Sequence, residues 1–147
     1  MGSVTLPSTG RVCVDAQVII YTVEKHPSFG PCLRPLWDAM SHGRVDLHTS
    51  ELSILESLIL PRRRRNQALE QDYLAFLQQP RMRLVPVSRS VLLQAVQLRA
   101  ETPRLRTPDA IHVATAVTSG CHTFVTNDRQ LQSLPELSVV HLHELVG

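Results

Sequence analysis

The stretch that decides the fold is RTPDAIHVATAVTSGCHTFVTND, residues 106–128. It opens as an apolar run at helical spacing and ends with a compact β-type run, TFVT (123–126), just before Asp128. Between Arg106 and Asp128 the only other acid is Asp109. Thr107 as a cap, Pro108 at the first helical position and Asp109 against the positive helix end make good local chemistry. A helix followed by a short buried strand is one step of an alternating α/β chain, and the same alternation recurs upstream.

RVCV (11–14) is a compact apolar run that ends at Asp15, and AQVIIYTVEK (16–25) continues it as a helix. HPSFGP (26–31) breaks that helix with Pro27, Gly30 and Pro31. CLRPLWDAMSHG (32–43) spaces Leu33, Leu36, Trp37 and Met40 helically and closes on Gly43. RVDLHT (44–49) alternates as a strand does, and SELSILESLIL (50–60) predicts a helix that ends before Pro61. RRRRNQALEQDYLAFLQQ (62–79) sets Leu69, Tyr73, Phe76 and Leu77 on one face of the next helix. RLVPV (83–87) reads as an edge strand because of Pro86, and SRSVLLQAVQLRAE (88–101) as a helix behind a serine cap. A short helix from Asp128 and a last strand, LSVVHL (137–142), complete the series. Strands separated by helices need crossovers and give a parallel sheet covered on both faces. The prediction is one three-layer α/β/α domain.

A length of 147 residues suits a single core, and 43% apolar against 19% charged residues is the balance of a globular chain. MGSVTLPSTG (1–10) has neither the basic side chains nor the long apolar segment of a secretory leader and reads as a polar lead-in to a domain at 11–147. No apolar run approaches the roughly 18 residues of a membrane helix. Cys13, Cys32 and Cys121 are odd in number and lack a CxxC spacing, so buried thiols in a reduced, cytoplasmic protein are expected. Net charge is +2, yet residues 61–89 set seven arginines against Glu70 and Asp72. That asymmetry points weakly to a polyanionic partner.

Four acids stand in apolar surroundings. Asp15 and Asp128 each follow a buried strand, where open parallel sheets form their ligand crevices. Asp109 opens a helix, and Glu56 is the only charged residue in LSILESLIL (52–60). With Leu52 and Leu60 four residues away on either side, Glu56 is expected to be cut off from water and to need a cation or a proton. Its neighbour Glu51, in the first turn, needs no such explanation. Four converging carboxylates repel one another, and hard oxygen donors without Cys or His at metal spacing suit Mg2+ or Mn2+. Such a cluster activates water for phosphoryl displacement.

VDAQVIIY (14–21), TSELSILES (49–57), TPDAIHVATA (107–116) and FVTNDRQL (124–131) together resemble a PIN domain, most closely the VapC-type toxin ribonucleases of bacterial toxin–antitoxin pairs. The resemblance runs from about residue 11 to the C-terminus and implies a sheet of about five strands, mainly parallel, in the order 3-2-1-4-5. Carried over motif by motif, Asp15, Glu56, Asp109 and Asp128 match the family's acidic metal-binding and catalytic quartet. The implied activity is an Mg2+- or Mn2+-dependent endoribonuclease that leaves 5′-phosphate and 3′-hydroxyl ends. Thr126, Asn127 and Ser50 are the supporting polar candidates. Ala16 and Gln17 depart from the family, which often has Ser or Thr after its first acid.

The resemblance further implies a cognate antitoxin and a homodimer. Arg62, Arg63, Arg64 and Arg65 are the candidate RNA contacts; at the start of a helix their charge would oppose the dipole, which favours a functional cause over a solvated run. Leu33, Trp37, Met40, Tyr73, Phe76 and Leu77 either line a groove for an antitoxin tail or pack as core. His112 shares a helix face with Asp109, and His141 and His143 share a strand face. Alternatives within the family are a free-standing RNA-processing nuclease and a catalytically silent binding module. A phosphoacceptor receiver domain fits poorly: VCVD has no adjacent acid, and Lys25 is the sole lysine.

Overall fold

The computed structural model describes residues 5–146; Met1–Val4 of the expected lead-in and Gly147 lie outside the described residues. The elements run β1 (Gly10–Val14), α1 (Ala16–Val23), α2 (Phe29–Ser41), β2 (Val45–Ser50), α3 (Leu52–Arg63), α4 (Gln67–Leu77), β3 (Met82–Val85), α5 (Arg89–Glu101), α6 (Thr107–Thr118), β4 (Thr123–Thr126) and β5 (Ser138–His141). A 3-10 turn, Leu142–Glu144, follows.

All four strand pairs are parallel, in the order β3-β2-β1-β4-β5 that was expected. Side chains of β1 alternate between two cores, as a pleated strand requires. Val12 and Val14 join Val18, Ile19, Leu36, Leu47 and Tyr73 on one side. Cys13 points the other way, to Phe124, Val91, Leu98 and Ala114 under α5 and α6. The result is three layers, with β1 in the middle of the sheet. β3 forms one edge, and Pro86 follows it.

Sequence and structure part at several boundaries. α2 starts at Phe29 rather than after Pro31, because a proline in a first helical turn forfeits no hydrogen bond. β2 exposes only Asp46, so it is a doubly covered strand and not an alternating one. The expected helix at Asp128 is a turn instead. There Asp128 Oδ1 accepts from Gln130 N at 3.0 Å, an Asx-type bond that diverts the backbone from helix. In α6 the cap position falls on Arg106, one residue before Thr107.

The largest shift concerns α3. It runs through Pro61, which is buried, and packs Ser53 and Ser57 inward at a four-residue spacing while Leu55, Ile59 and Leu60 face outward. Small residues let the helix lie close on β2, where the Thr49 hydroxyl bonds Ser53 Oγ at 2.7 Å. Arg62 and Arg63 therefore close α3 instead of opening α4, and Asn66 caps α4 by accepting from Leu69 N. Cations at a helix C-terminus are favourable, so these charges complement a dipole where they were expected to oppose one. Arg62 is engaged with Glu70.

Leu33, Met40, Tyr73 and Leu77 are buried, and Trp37 and Phe76, which meet edge-to-face, pack against them, so this set is core and not a groove. Cys13 and Cys121 are free and buried on one side of the sheet, while Cys32 is partly exposed. Burial pushes the Cys13 thiol up, and its hydrogen bond holds Cys121 down to about 6. No helix among the described residues is long and apolar enough to cross a membrane.

Candidate functional site

Strand order reverses between β1 and β4, and the chain leaves both strands at the same end of the sheet. Asp15 follows β1, and Asn127 and Asp128 follow β4. A cavity of ≈ 850 Å3 opens there, lined by Asp15, Glu56, Asp109 and Asp128. Four acids from four separate segments thus share one wall. Gln17, Tyr21, Arg106, His112, Asn127 and Gln130 complete its polar lining.

Each acid is fixed locally. Asp15 caps α1, with Oδ1 accepting from Val18 N at 3.1 Å, while Oδ2 accepts from the Thr126 hydroxyl at 2.6 Å. The same Thr126 oxygen accepts from Asp128 N at 3.0 Å, so one hydroxyl ties the two strand-end acids together. Asp109 sits in the first turn of α6 and meets Arg106 Nε at 3.5 Å. Glu56 reaches across from α3 to His112, with Oε1 2.5 Å from Nε2. The side chain of Glu56 is 33% exposed, and Leu60 faces solvent. Its leucine neighbours therefore do not isolate it; a buried imidazole holds it.

Electrostatics follow from this crowding. Burial pushes the Asp15 carboxyl above its ordinary range, against the hydrogen bonds from Thr126 and Val18. Burial raises Asp109 as well, reinforced by the charge of Asp128 and opposed by Arg106. Thr126→Val keeps the shape and removes the hydroxyl. The Asp15 pKa should rise further and stability should fall by about 1–3 kcal/mol, read by carboxyl NMR titration and chemical denaturation.

Ser50 does not line the cavity; its hydroxyl accepts from Leu52 N at the head of α3. Asn127 does line it, donating to the Tyr21 hydroxyl at 3.2 Å and accepting from His143 N at 3.1 Å. Arg62 and Arg65 border a different depression, beside Gln67 and Glu70. The sequence did not single out Arg106 for the site, and it placed His112 only on the helix face of Asp109, where a contact with the site and a hydrogen-bonded packing role both stood open. Arg106 and His112 each stand three residues from Asp109, the spacing that shares a helix face. His141 ends β5 and His143 lies in the 3-10 turn.

Oxygen donors dominate the cavity, as a hard divalent cation prefers. Among the described residues, no three His, Cys, Asp or Glu side chains converge tightly enough to cage an ion by themselves. That arrangement still fits Mg2+, which keeps several of its waters and takes one or two carboxylates directly.

A family model for the PIN domain matches residues 12–137. Among solved structures, VapBC2 from Rickettsia felis bound to a promoter DNA fragment superimposes with a TM-score of 0.70 at 17% identity, over 89% of this chain and 98% of that one. A toxin–antitoxin complex from Klebsiella pneumoniae gives 0.67 at 19%, over 89% and 97%. VapC20 from Mycobacterium tuberculosis, described as a sarcin-ricin loop cleaving toxin, gives 0.62 at 16%, over 77% and 86%. At such identities the likeness is one of fold. No curated protein matches the sequence.

Proposed function

The chain belongs to the PIN-domain family, and on that premise we propose that it is a metal-dependent endoribonuclease, the toxin of a toxin–antitoxin pair. The observation that carries this reading is the convergence of Asp15, Glu56, Asp109 and Asp128 on one cavity at the strand ends. Asp15 and Asp128 would hold Mg2+ or Mn2+ most directly, with Asp109 and Glu56 completing its surroundings, partly through water. Bound there, the ion supplies an activated water and neutralises charge on the phosphoryl group. The protein's own part is positional. Thr126 locks the two strand-end acids, and His112 aims Glu56 at the attacking water. Arg106, exposed at the cavity mouth, draws the RNA phosphate in.

Partner binding draws support from the surface. Ile59 and Leu60 line the cavity rim and, with Leu55, expose apolar side chains beside it. Exposed apolar clusters mark protein interfaces, and one beside the acids suits an inhibitory antitoxin. Leu92, Leu93 and Val96 on α5 offer a second such face, suited to another copy of the chain. The solved complexes of similar fold, VapBC2 and the Klebsiella pair, lend the same reading weight.

End-labelled single-stranded RNA mixed with the purified chain tests the proposal. Cleavage should require Mg2+ or Mn2+, stop with EDTA and leave 5′-phosphate ends. Binding without cleavage at any ion concentration would identify a silent module instead. Arg64→Ala with Arg65→Ala should flatten the salt dependence of RNA binding by about 0.7 in slope for each phosphate left without its arginine. An unchanged slope would remove the arginines from the RNA path.

A further inference from the structure

Next to the acid cavity lies a second, smaller one of ≈ 150 Å3, and Asp109, Asp128 and Arg106 line both. Its floor is apolar, made by Leu98, Leu105, Val113, Leu131 and Leu134. Arg104, Gln130 and Gln132 stand exposed at its rim.

Both walls are braced. Arg99 Nε donates to Leu105 O at 2.8 Å and its Nη1 to Thr107 Oγ1 at 3.1 Å, which fixes the α5–α6 loop. On the other side, His141 Nε2 lies 2.7 Å from Leu131 O, and Val139 N donates to Ser133 Oγ at 2.9 Å. Leu134 and Leu137 add a backbone bridge. The cavity is therefore preformed, as small-ligand sites usually are.

Its chemistry selects its occupant. The floor is apolar, and the two carboxylates of the wall are balanced by Arg104 and Arg106, so the interior favours an uncharged occupant. The space amounts to about five water volumes, room for one planar ring and little else. Amides at the rim offer a donor and an acceptor each, the complement of a heterocycle's edge. Resting on the ribonuclease reading, we infer that this cavity takes one unstacked nucleobase of the RNA, next to the phosphate presented to the acids, and sets the nucleotide preference of cleavage. Single-stranded RNA is read in this way, by splaying a base out, burying its faces and hydrogen-bonding its edge. The shared wall fixes the distance between the base that is read and the bond that is cut.

The test uses short RNAs randomised over a central segment, cut in Mn2+ and sequenced at the new ends. Thr102→Trp places an indole at the cavity mouth; Thr102 lines the cavity and bonds Leu98 O and Leu105 N through its backbone alone. Gln132→Ala removes one rim amide from an exposed position. The parent should show a skewed nucleotide at one position beside the cut. Thr102→Trp should flatten that skew while still cutting disfavoured sequences at the parental rate. Gln132→Ala should reduce the preference about three- to tenfold, the value of one hydrogen bond. Variants that cut with the parental preference would overturn the base pocket and leave the ribonuclease reading intact. A parent without preference at any position would do the same. No cleavage by any of the proteins would bring down both.

Discussion

Asp15→Asn should abolish RNA cleavage, by at least about 10²-fold, and yield a protein that melts close to the parent at neutral pH. The two halves of this expectation have the same cause. Burial raises the Asp15 carboxyl above its value of 3.8 in an unfolded chain, so the folded state binds its proton more tightly than the unfolded state does. Above the folded pKa, the ionised group therefore costs stability. As pH falls through the folded pKa towards 3.8, that cost is relieved, the reverse of ordinary acid denaturation. Asparagine is neutral at every pH and removes the cost. It also keeps the α1 cap, since Asn serves at this position as well as Asp, and Val18 N retains an acceptor. Its amide nitrogen donates to the Thr126 oxygen in place of accepting from the Thr126 hydroxyl, a loss that offsets the relief of charge. What it cannot do is hold a divalent ion beside Asp128. The measurement pairs RNA cleavage with thermal melts across pH. Cleavage within a few-fold of the parental rate would end the role given to Asp15, and a large drop in melting temperature would show that the charge serves the fold.

How legible the molecule was in its sequence depends on which interaction set each feature. β1 and β4 are short apolar runs whose ends are marked by Asp15 and Asp128, and an unbroken apolar run is a direct signature of a strand covered on both faces. α3 was harder. Its fully buried face is Ser53, Ser57 and Pro61, Ile54 and Leu58 pack at the margin of the core, and Leu55, Ile59 and Leu60 look outward. A hydrophobic pattern read with the usual rule, apolar inward, turns such a helix around. The expectation that Glu56 is cut off from water missed the exposed rim at Ile59 and Leu60, and the stop expected before Pro61 missed the true end of the helix among the arginines. Pro61 compounded the error, because packing outweighs the single hydrogen bond that it removes. The acids were legible as a set and not singly: Asp109 alone reads as a helix-end acid and Asp15 and Asp128 as loop or cap residues, and only Glu56 lacked a routine explanation. The role of His112 was not legible, since it is defined by a contact across the fold with Glu56, 56 positions away. Arg106 pairs with Asp109 three residues on, a spacing already present in the sequence.

That contact yields the second large effect. His112 is 3% exposed, and its Nδ1 has no partner among the described residues. A proton on Nδ1 would be buried without an acceptor, at a cost of about 1–3 kcal/mol. The ring therefore carries its proton on Nε2 and donates it to Glu56. Truncation and neutralisation of Glu56 should consequently separate. Glu56→Ala strands the Nε2 proton and should cost about 1–3 kcal/mol of stability together with activity. Glu56→Gln keeps an oxygen to accept that proton and should fold nearly as well as the parent. It has lost its charge, however, and should fall at least about 10²-fold in cleavage. His112→Ala releases Glu56 and opens a gap beneath it, so stability and rate should fall together. Denaturation curves and cleavage rates for the three variants decide the matter. If Glu56→Gln loses as much stability as Glu56→Ala, the charge and not the hydrogen bond joins α3 to α6. If Glu56→Gln cuts RNA at the parental rate, Glu56 is a structural anchor for His112 and the acids at work are Asp15, Asp109 and Asp128 alone.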